Sequence, residues 1–244
     1  MFLPIGDDQV RGGYSPHLAY GFIVVNVLIF IYQVTLPPAQ VENFLTTYGA
    51  IPAEITSGQD HFTLLTSMFL HGGLMHLVGN MLFLWIFADN VEASVGSVVF
   101  LVVYLISGLA AHAGQILINP ESTIPMVGAS GALAGIMGAY LVMFPRSQVR
   151  GYFFFFRVAV PAFLFLFFWI AQQSYMGYTQ LQAGPSNTGG VAWWAHIGGF
   201  LFGVVAGLII RQTHYLPKHA DGYKMNKDRE VLYPKKPEPG DPFL

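Results

Sequence analysis

The chain has 244 residues, of which 54% are hydrophobic and 10% are charged, with a formal net charge of −2 and a mean hydropathy of +0.52. Because soluble domains carry about 25% charged residues, this composition indicates a protein that crosses a membrane several times. The absence of cysteine excludes disulfide and thiol chemistry, and the lack of a large basic cluster excludes nucleic acid as a partner.

The chain divides into a short tail at 1–16, a membrane region at 17–211 and a proline- and lysine-rich tail at 212–244, whose composition is typical of disorder. Apolar runs of about 20 residues, the length that spans a bilayer, predict six helices in the membrane region. These runs are 17–36, 72–91, 96–118, 127–144, 155–174 and 192–211. The sequence therefore predicts an all-α polytopic membrane protein built as a six-helix bundle.

The basic residues of the chain are distributed on one side of this arrangement. They lie in the first tail, between the fourth and fifth runs, and from the end of the sixth run onward. The segments 37–71, 119–126 and 175–191 contain none. By the positive-inside rule, this distribution predicts that both termini are cytoplasmic in a multi-pass protein of the plasma (inner) membrane.

The long connection at 37–71 mixes apolar residues with proline and glycine. Non-helical backbone at membrane depth must be covered by protein or face water. We expect this segment to lie partly in the outer interface, and a surface loop with no chemical role is the alternative.

Ser130 opens the fourth run and stands between Gly128 and Gly131. A serine at the start of a helix is commonly an N-cap and nothing more. The start of a helix also presents unpaired N–H groups and a partial positive charge, which favour negative charge developing beside the serine. This position therefore suits a nucleophile as well as a cap.

His196 lies in the sixth run, at a depth similar to that of Ser130. Helical periodicity places it on the same face as a stripe of glycines, which allows another helix to approach closely. The stripe is Gly199, Gly203 and Gly207, and the fourth run offers Gly131, Ala134, Gly135 and Gly138. Tight packing explains the glycines but not an ionisable imidazole among them, whereas a Ser130–His196 contact explains both.

His76 and Asn80 share one face of the second predicted helix, four residues apart. Together with the backbone N–H groups of Ser130 and Gly131 they are candidates for an oxyanion hole. The structural alternative is a hydrogen bond between helices that holds the bundle together.

Carboxylates are absent from the outer half of every predicted helix, so the pattern favours a Ser–His dyad over a triad. The imidazole must then be oriented by packing or by a neutral hydrogen bond. Glu92, at the inner end of the second run, is expected to accept backbone N–H groups or water. His71 and His76 are five residues apart, which is off-face for a helical metal pair, so no metal or other cofactor is expected.

The motifs His71-Gly-Gly-Leu-Met-His76-Leu-Val-Gly-Asn80, Asn90-Val-Glu92, Gly128-Ala-Ser130-Gly131 and Ala195-His196-Ile-Gly-Gly199, in this order, resemble those of the rhomboid intramembrane serine proteases. The resemblance implies a six-helix bundle in which Ser130 is the nucleophile and His196 the general base and then acid. It assigns His76 and Asn80 to the oxyanion hole and likens segment 37–71 to the membrane-embedded loop of the family.

Two positions depart from common rhomboid patterns. Phe62-Thr63 stands where many members carry Trp-Arg, and Ala134 stands where some carry a tyrosine that stacks on the histidine. These departures concern the anchoring of the loop and the positioning of the imidazole.

The implied function is an endopeptidase that cleaves other membrane proteins in or near their transmembrane segments, with the bilayer and those substrates as its partners. A non-catalytic rhomboid-like chaperone or client-binding protein is the first alternative, and the intact Ser130 and His196 argue against it. A small channel or transporter is the second alternative. The polar groups do not continue to the inner face, which argues against that reading.

Overall fold

A computed structural model describes residues 2–8, 10–11, 15–183, 190–213 and 231–232. The described helices are α1 (His17–Thr35), α2 (Pro38–Tyr48), α3 (Pro52–Thr56), α4 (Thr63–Thr66), α5 (Leu74–Phe83), α6 (Asp89–Val95), α7 (Ser97–Ile118), α8 (Ser130–Met143), α9 (Ala162–Ala183) and α10 (Trp193–Thr213). A 3-10 turn, Ser67–Phe69, follows α4, and a π-helical turn, Leu84–Ala88, joins α5 to α6. The strands are β1 (Phe2–Gly6), β2 (Val10–Arg11), β3 (Gln148–Phe153), β4 (Phe156–Pro161) and β5 (Val231–Leu232).

Four stretches of the described chain are helices long and apolar enough to cross a membrane: α1, the continuous run Leu74–Val95, α7 and α10. The protein is therefore a mostly helical, multi-pass membrane protein, as the sequence predicted. The apolar helix α8 is shorter, with 14 residues. The count of six spans and the side on which the termini lie stay predictions.

The fifth predicted span is displaced along the chain. Residues 155–161 were expected to be helical, but Phe156–Pro161 is a strand that pairs antiparallel with β3, and α9 begins only at Ala162. Aromatic and β-branched residues fit a strand at least as well as an apolar helix, and Pro161 is compatible with the edge of a sheet. The prediction of a helix over 155–161 was wrong for this reason.

The first tail contributes a strand to this small sheet. Strand β1 pairs antiparallel with β3, from Phe2 opposite Phe153 to Gly6 opposite Arg150, and the strand order is β1-β3-β4. Strands β2 and β5 form a separate parallel pair. The predicted disorder of 212–244 falls mainly on residues outside the described part of the chain.

Helix α8 lies at the centre of the bundle, with nearly all of its side chains buried. Helix α10 packs along it at backbone-to-backbone distance: a Cβ placed on Gly199 would lie 2.1 Å from the Gly131 carbonyl oxygen. A Cβ on Gly203 would lie 1.8 Å from the carbonyl oxygen of Gly135. The predicted close approach of these two helices through their small residues is confirmed.

Glu92 caps the first helix. Its carboxylate accepts the backbone N–H groups of Leu18 at 3.0 Å and Ala19 at 2.7 Å, both in the first turn of α1, where N–H groups have no partner within the helix. The carboxylate also sits at the positive end of the helix dipole. The structural role predicted for Glu92 is confirmed.

Segment 37–71 is folded against the chain that leads into α8. Ala50 and Met126 exchange two backbone hydrogen bonds of 3.0 and 2.8 Å, and the Gly128 N–H donates to the Ser67 carbonyl at 2.9 Å. Thr63 is buried and its hydroxyl donates to the Asp60 carbonyl at 2.7 Å. The segment therefore helps to fix the residues immediately before Ser130.

Candidate active site

Ser130 is the first residue of α8, and His196 lies in the first turn of α10. The Ser130 Oγ atom is 2.8 Å from the His196 Nε2 atom, which is hydrogen-bonding distance. The close packing of α8 against α10 brings the two side chains together. The structure thus contains the predicted contact, and the catalytic role of the pair stays a prediction.

The second nitrogen of the His196 ring contacts α9. His196 Nδ1 lies 2.7 Å from Oε1 of Gln173, a side chain that is 5% exposed. An amide oxygen only accepts hydrogen bonds, so this contact requires the ring proton to reside on Nδ1. Nε2 is then left as an acceptor for the Ser130 hydroxyl.

Two tryptophan rings pack around the imidazole. The Trp169 centroid is 5.9 Å from that of His196, with the planes inclined by 35°, and Trp193 meets the ring edge-on at 6.3 Å. Trp169 and Gln173 are four residues apart on α9, so they reach His196 from the same helix face. Ala134, where some rhomboids carry a stacking tyrosine, is fully buried, and the ring contacts come from α9 and α10 instead.

His76 and Asn80 line one cavity of about 850 Å³ with Ser130 and His196. The cavity is also bordered by residues from the segment before α8, from the end of α9 and from 190–192. The structure therefore brings together the four side chains that the sequence singled out. Their assignment to a nucleophile, a base and an oxyanion hole is not decided by proximity alone.

Asn80 is held by a histidine to which sequence reasoning gave no role. Its Nδ2 atom donates to Nε2 of His71 at 2.9 Å, and both side chains are buried. Burial, and to a lesser degree the neighbouring His76 imidazole, lowers the pKa of His71 to about 4. His71 is therefore neutral near pH 7 and acts as a fixed acceptor that orients the Asn80 amide.

The backbone before Ser130 passes directly beneath these two donors. Gly128 has a φ of +122°, and a Cβ there would lie 2.7 Å from His76 Nε2 and 3.4 Å from Asn80 Nδ2. Gly131 packs on its other side, where a Cβ would come within 2.5 Å of the Ala111 Cβ. Its N–H belongs to the first turn of α8, which leaves it free of an intrahelical partner. The use of that N–H as an oxyanion donor stays a prediction.

His112 does not line the large cavity, but it borders a small one of about 30 Å³ together with Ser130 and Gly131. It is buried on α7, with Nε2 at 3.0 Å from the Ser67 hydroxyl and Nδ1 at 2.7 Å from the Gly108 carbonyl. The Nε2 contact joins the loop to α7, and the Nδ1 contact is made one turn earlier on α7 itself. Among the described residues, no group of three or more His, Cys, Asp or Glu is placed to hold a metal ion.

Two side chains that contact the imidazole, Gln173 and Trp169, were missed by the sequence analysis. A signal was available: Gln173 is a polar residue one helical turn after Trp169, in a run otherwise dominated by aromatic residues. Both residues already lay in the predicted span 155–174, but the adjacent Gln172 is equally polar, so the pattern did not single out Gln173.

Comparison with known proteins identifies relatives. A family model described as the Rhomboid domain matches residues 58–213. The chain is 32% identical over 127 residues to Rhomboid protease GluP of Bacillus subtilis (strain 168), covering 52% of this chain and 24% of that protein. It is 34% identical over 157 residues to RHOMBOID-like protein 6, mitochondrial, of Arabidopsis thaliana, covering 64% and 46%.

A third relative is named as inactive. The chain is 30% identical over 82 residues to Inactive rhomboid protein 1 of Drosophila melanogaster, covering 34% of this chain and 6% of that protein. In all three cases the match spans less than half of the relative's length.

Proposed function

The chain belongs to the rhomboid family, and we propose that it is an intramembrane serine endopeptidase that hydrolyses peptide bonds in or near the transmembrane segments of other membrane proteins. Family membership alone does not decide activity, because the relatives include a protein named as a protease and one named as inactive. The observation that carries the proposal is the 2.8 Å contact between Ser130 Oγ and His196 Nε2 inside a cavity.

In the proposed reaction, Ser130 Oγ attacks the scissile carbonyl carbon while its proton moves to His196 Nε2. The resulting oxyanion accepts hydrogen bonds from His76, Asn80 and the N–H groups at the start of α8. Collapse of this intermediate breaks the C–N bond, and Nε2 returns the proton to the leaving amine. Water then attacks the acyl-enzyme by the same route, which releases the carboxylic acid and restores the serine.

The cavity supplies the space that this chemistry needs. Its walls include polar side chains of α7 and α9, Gln115 and Gln180, besides the site residues, which supports access for water. A regular transmembrane helix hides its amides in hydrogen bonds, so we expect substrates whose helices unwind easily near the cut. The basic-residue distribution supports an orientation with both termini in the cytoplasm and this cavity in the outer half of the plasma membrane.

A client-binding protein without catalysis is the second candidate. The relative named as inactive supports it at the level of the family, and the same cavity could hold an unwound segment. The Ser–His contact and the oriented Asn80 amide favour the protease, because neither is needed for binding alone.

A fluorescent fluorophosphonate probe, which reacts covalently with activated serines, tests the proposal. We expect the purified protein in lipid bilayers to be labelled, and Ser130→Ala and His196→Ala each to abolish labelling. Ser57→Ala, at an exposed serine of segment 37–71, is the matched control and should label like the wild type. A folded wild type that does not label would contradict the dyad and favour client binding.

A further inference from the structure

Helix α9 presents one buried polar group to the proposed base. Gln173 is 5% exposed and its Oε1 atom lies 2.7 Å from His196 Nδ1. One turn earlier on the same face, Trp169 packs against the imidazole ring. A buried amide oxygen that lacks a hydrogen-bond donor costs free energy. Here the donor that satisfies Oε1 is the Nδ1–H group of His196.

We propose that Gln173 is a positioning residue, which fixes the tautomer and the plane of the His196 imidazole so that Nε2 faces Ser130 as an acceptor. This inference rests on the proposed function of the dyad. The carboxamide does not take a proton during the reaction. The Nδ1 proton stays on the ring throughout, and only the Nε2 proton moves between Ser130 and the leaving amine.

The electrostatic consequence distinguishes this arrangement from a triad. When Nε2 receives the serine proton, the imidazolium forms beside an amide dipole and not beside a carboxylate. The amide oxygen supports that positive charge without placing a formal negative charge in the apolar part of the protein, which would carry a large desolvation cost. Gln173 therefore supplies the neutral hydrogen bond that a dyad without an acid requires.

The location of Gln173 also makes the base depend on α9. Ser130 and His196 lie on α8 and α10, which are in backbone contact through their glycines. Gln173 and Trp169 lie on α9. The face of α9 that points away from the other helices exposes large apolar side chains, among them Phe163, Phe167 and Phe168. A displacement of α9 from α10 would separate Oε1 from Nδ1 and release the ring, so the dyad is aligned only while α9 lies against it.

Two substitutions of Gln173 by side chains of similar size distinguish its hydrogen bond to His196 from its packing on α9. Gln173→Met removes the acceptor and keeps the length of the side chain, whereas Gln173→Glu keeps an acceptor oxygen at the same place. Gln172→Met, at the exposed neighbouring position, is the matched control. Each protein is reacted with the fluorophosphonate probe in bilayers to separate the maximal labelling rate from the probe concentration at half-maximal rate.

We expect Gln173→Met to lower the maximal labelling rate about 10- to 100-fold, the usual effect of losing a partner that orients a functional histidine. The half-saturating probe concentration should change less than about twofold, because the amide does not touch the probe. Gln173→Glu should retain more of the rate than Gln173→Met, because it keeps the acceptor oxygen although its charge carries a desolvation cost, and Gln172→Met should match the wild type. A Gln173→Met protein that labels at the wild-type rate would overturn the proposal.

The NMR signals of the His196 ring test the positioning role of Gln173 without requiring activity. In protein labelled with ¹⁵N-histidine, and with His196 assigned by its loss in His196→Ala, the ring should be a single Nδ1–H tautomer in the wild type. It should become a mixture in Gln173→Met. An unchanged tautomer in Gln173→Met would refute the positioning role. Absence of labelling in the folded wild type would instead reject the proposed function, since the ring resonances report the hydrogen bond independently.

Discussion

At the scale of single residues, the candidate site contains two functional groups that are each oriented by a neutral hydrogen bond with a second residue. His196 is held by Gln173, and Asn80 is held by His71. Both supporting groups are neutral acceptors, which suits a site inside the apolar part of a membrane protein, where a formal charge is costly. The supporting residues therefore matter as much to the geometry as the groups they hold.

Asn80 gives the first residue-scale prediction. If its amide donates to the oxyanion, Asn80→Ala should lower kcat for a fluorogenic transmembrane peptide by about 10²–10³-fold, the usual effect of losing one such donor. KM should change little, because the donor acts on charge that develops in the transition state. Asn43→Ala, at an exposed position of α2, is the control. A kcat within a few-fold of wild type would remove Asn80 from the oxyanion hole.

Gly128 gives the second residue-scale prediction. An alanine there is disfavoured twice, because φ is +122° and the Cβ would lie 2.7 Å from the His76 ring. We expect Gly128→Ala to lower probe labelling more than about tenfold and to reduce stability by about 1–3 kcal/mol. Gly79→Ala on α5, where a Cβ meets nothing within 4 Å, should leave labelling unchanged and be neutral or stabilising by up to about 1 kcal/mol. Equal behaviour of the two variants would contradict this account.

The residues predicted from sequence and those missed differ in one physical respect. Ser130, His76, Asn80 and His196 interrupt long apolar runs, and such groups are rare enough to stand out. Gln173 stands beside an equally polar Gln172, and His71 precedes its helix. Their roles depend on which side chains fold against them, and that information lies outside any local pattern.

At the scale of helices, the site depends on the distance between α8 and α10. No side chain separates Gly203 from the Gly135 carbonyl, so the position of His196 over Ser130 follows from a backbone contact. The period of the glycine stripe made this contact predictable. The hairpin β3–β4 was not predictable in the same way, because a short aromatic and β-branched run suits a strand or a buried helix equally.

The helix contact predicts an unequal effect of two glycine-to-alanine changes. Gly203→Ala should lower stability by about 1–3 kcal/mol, because its Cβ would overlap the Gly135 carbonyl oxygen. It should also reduce labelling of Ser130 by moving α10. Gly21→Ala on α1, where a Cβ meets nothing within 4 Å, should be neutral or stabilising by up to about 1 kcal/mol. Thermal unfolding followed by tryptophan fluorescence measures both, and a stable, fully labelled Gly203→Ala would contradict the packing argument.

At the scale of the whole molecule, the N-terminal segment joins parts of the protein that are distant in sequence. Strand β1 pairs with β3, and Asp8 forms an ion pair with Arg150 while accepting the Gln148 N–H at 2.9 Å. Asp7 enters the bundle, where its carboxyl accepts hydrogen bonds from Tyr140 on α8 and from Asn90 on α6. Residues that composition alone assigned to a tail thus close the end of the bundle opposite the candidate site.

The Asp7 carboxyl makes stability depend on pH. Burial, reinforced by the nearby carboxylates of Asp89 and Asp8, raises its pKa well above the ordinary value, while the hydrogen bonds from Tyr140 and Asn90 oppose that shift. An acid whose folded pKa is raised contributes full stability below its unfolded pKa, and that stability is lost as the pH rises toward the folded pKa. The loss follows from proton release on unfolding and amounts to at most about 1.4 kcal/mol per pH unit.

Asp7→Asn isolates this group, because the amide is neutral at every pH and retains an oxygen that accepts from Tyr140 and Asn90. We expect the variant and the wild type to unfold at the same temperature near pH 2, below the ordinary Asp pKa, where both side chains are neutral in both states. The variant should unfold at the higher temperature near pH 8, since only the wild type gains free energy in the unfolded state from ionisation of this carboxyl. Asp60→Asn, at an exposed loop position, is the matched control. A variant less stable than the wild type at pH 8 would mean that an ionised Asp7 holds the N-terminal segment, and the sign of this linkage would be reversed.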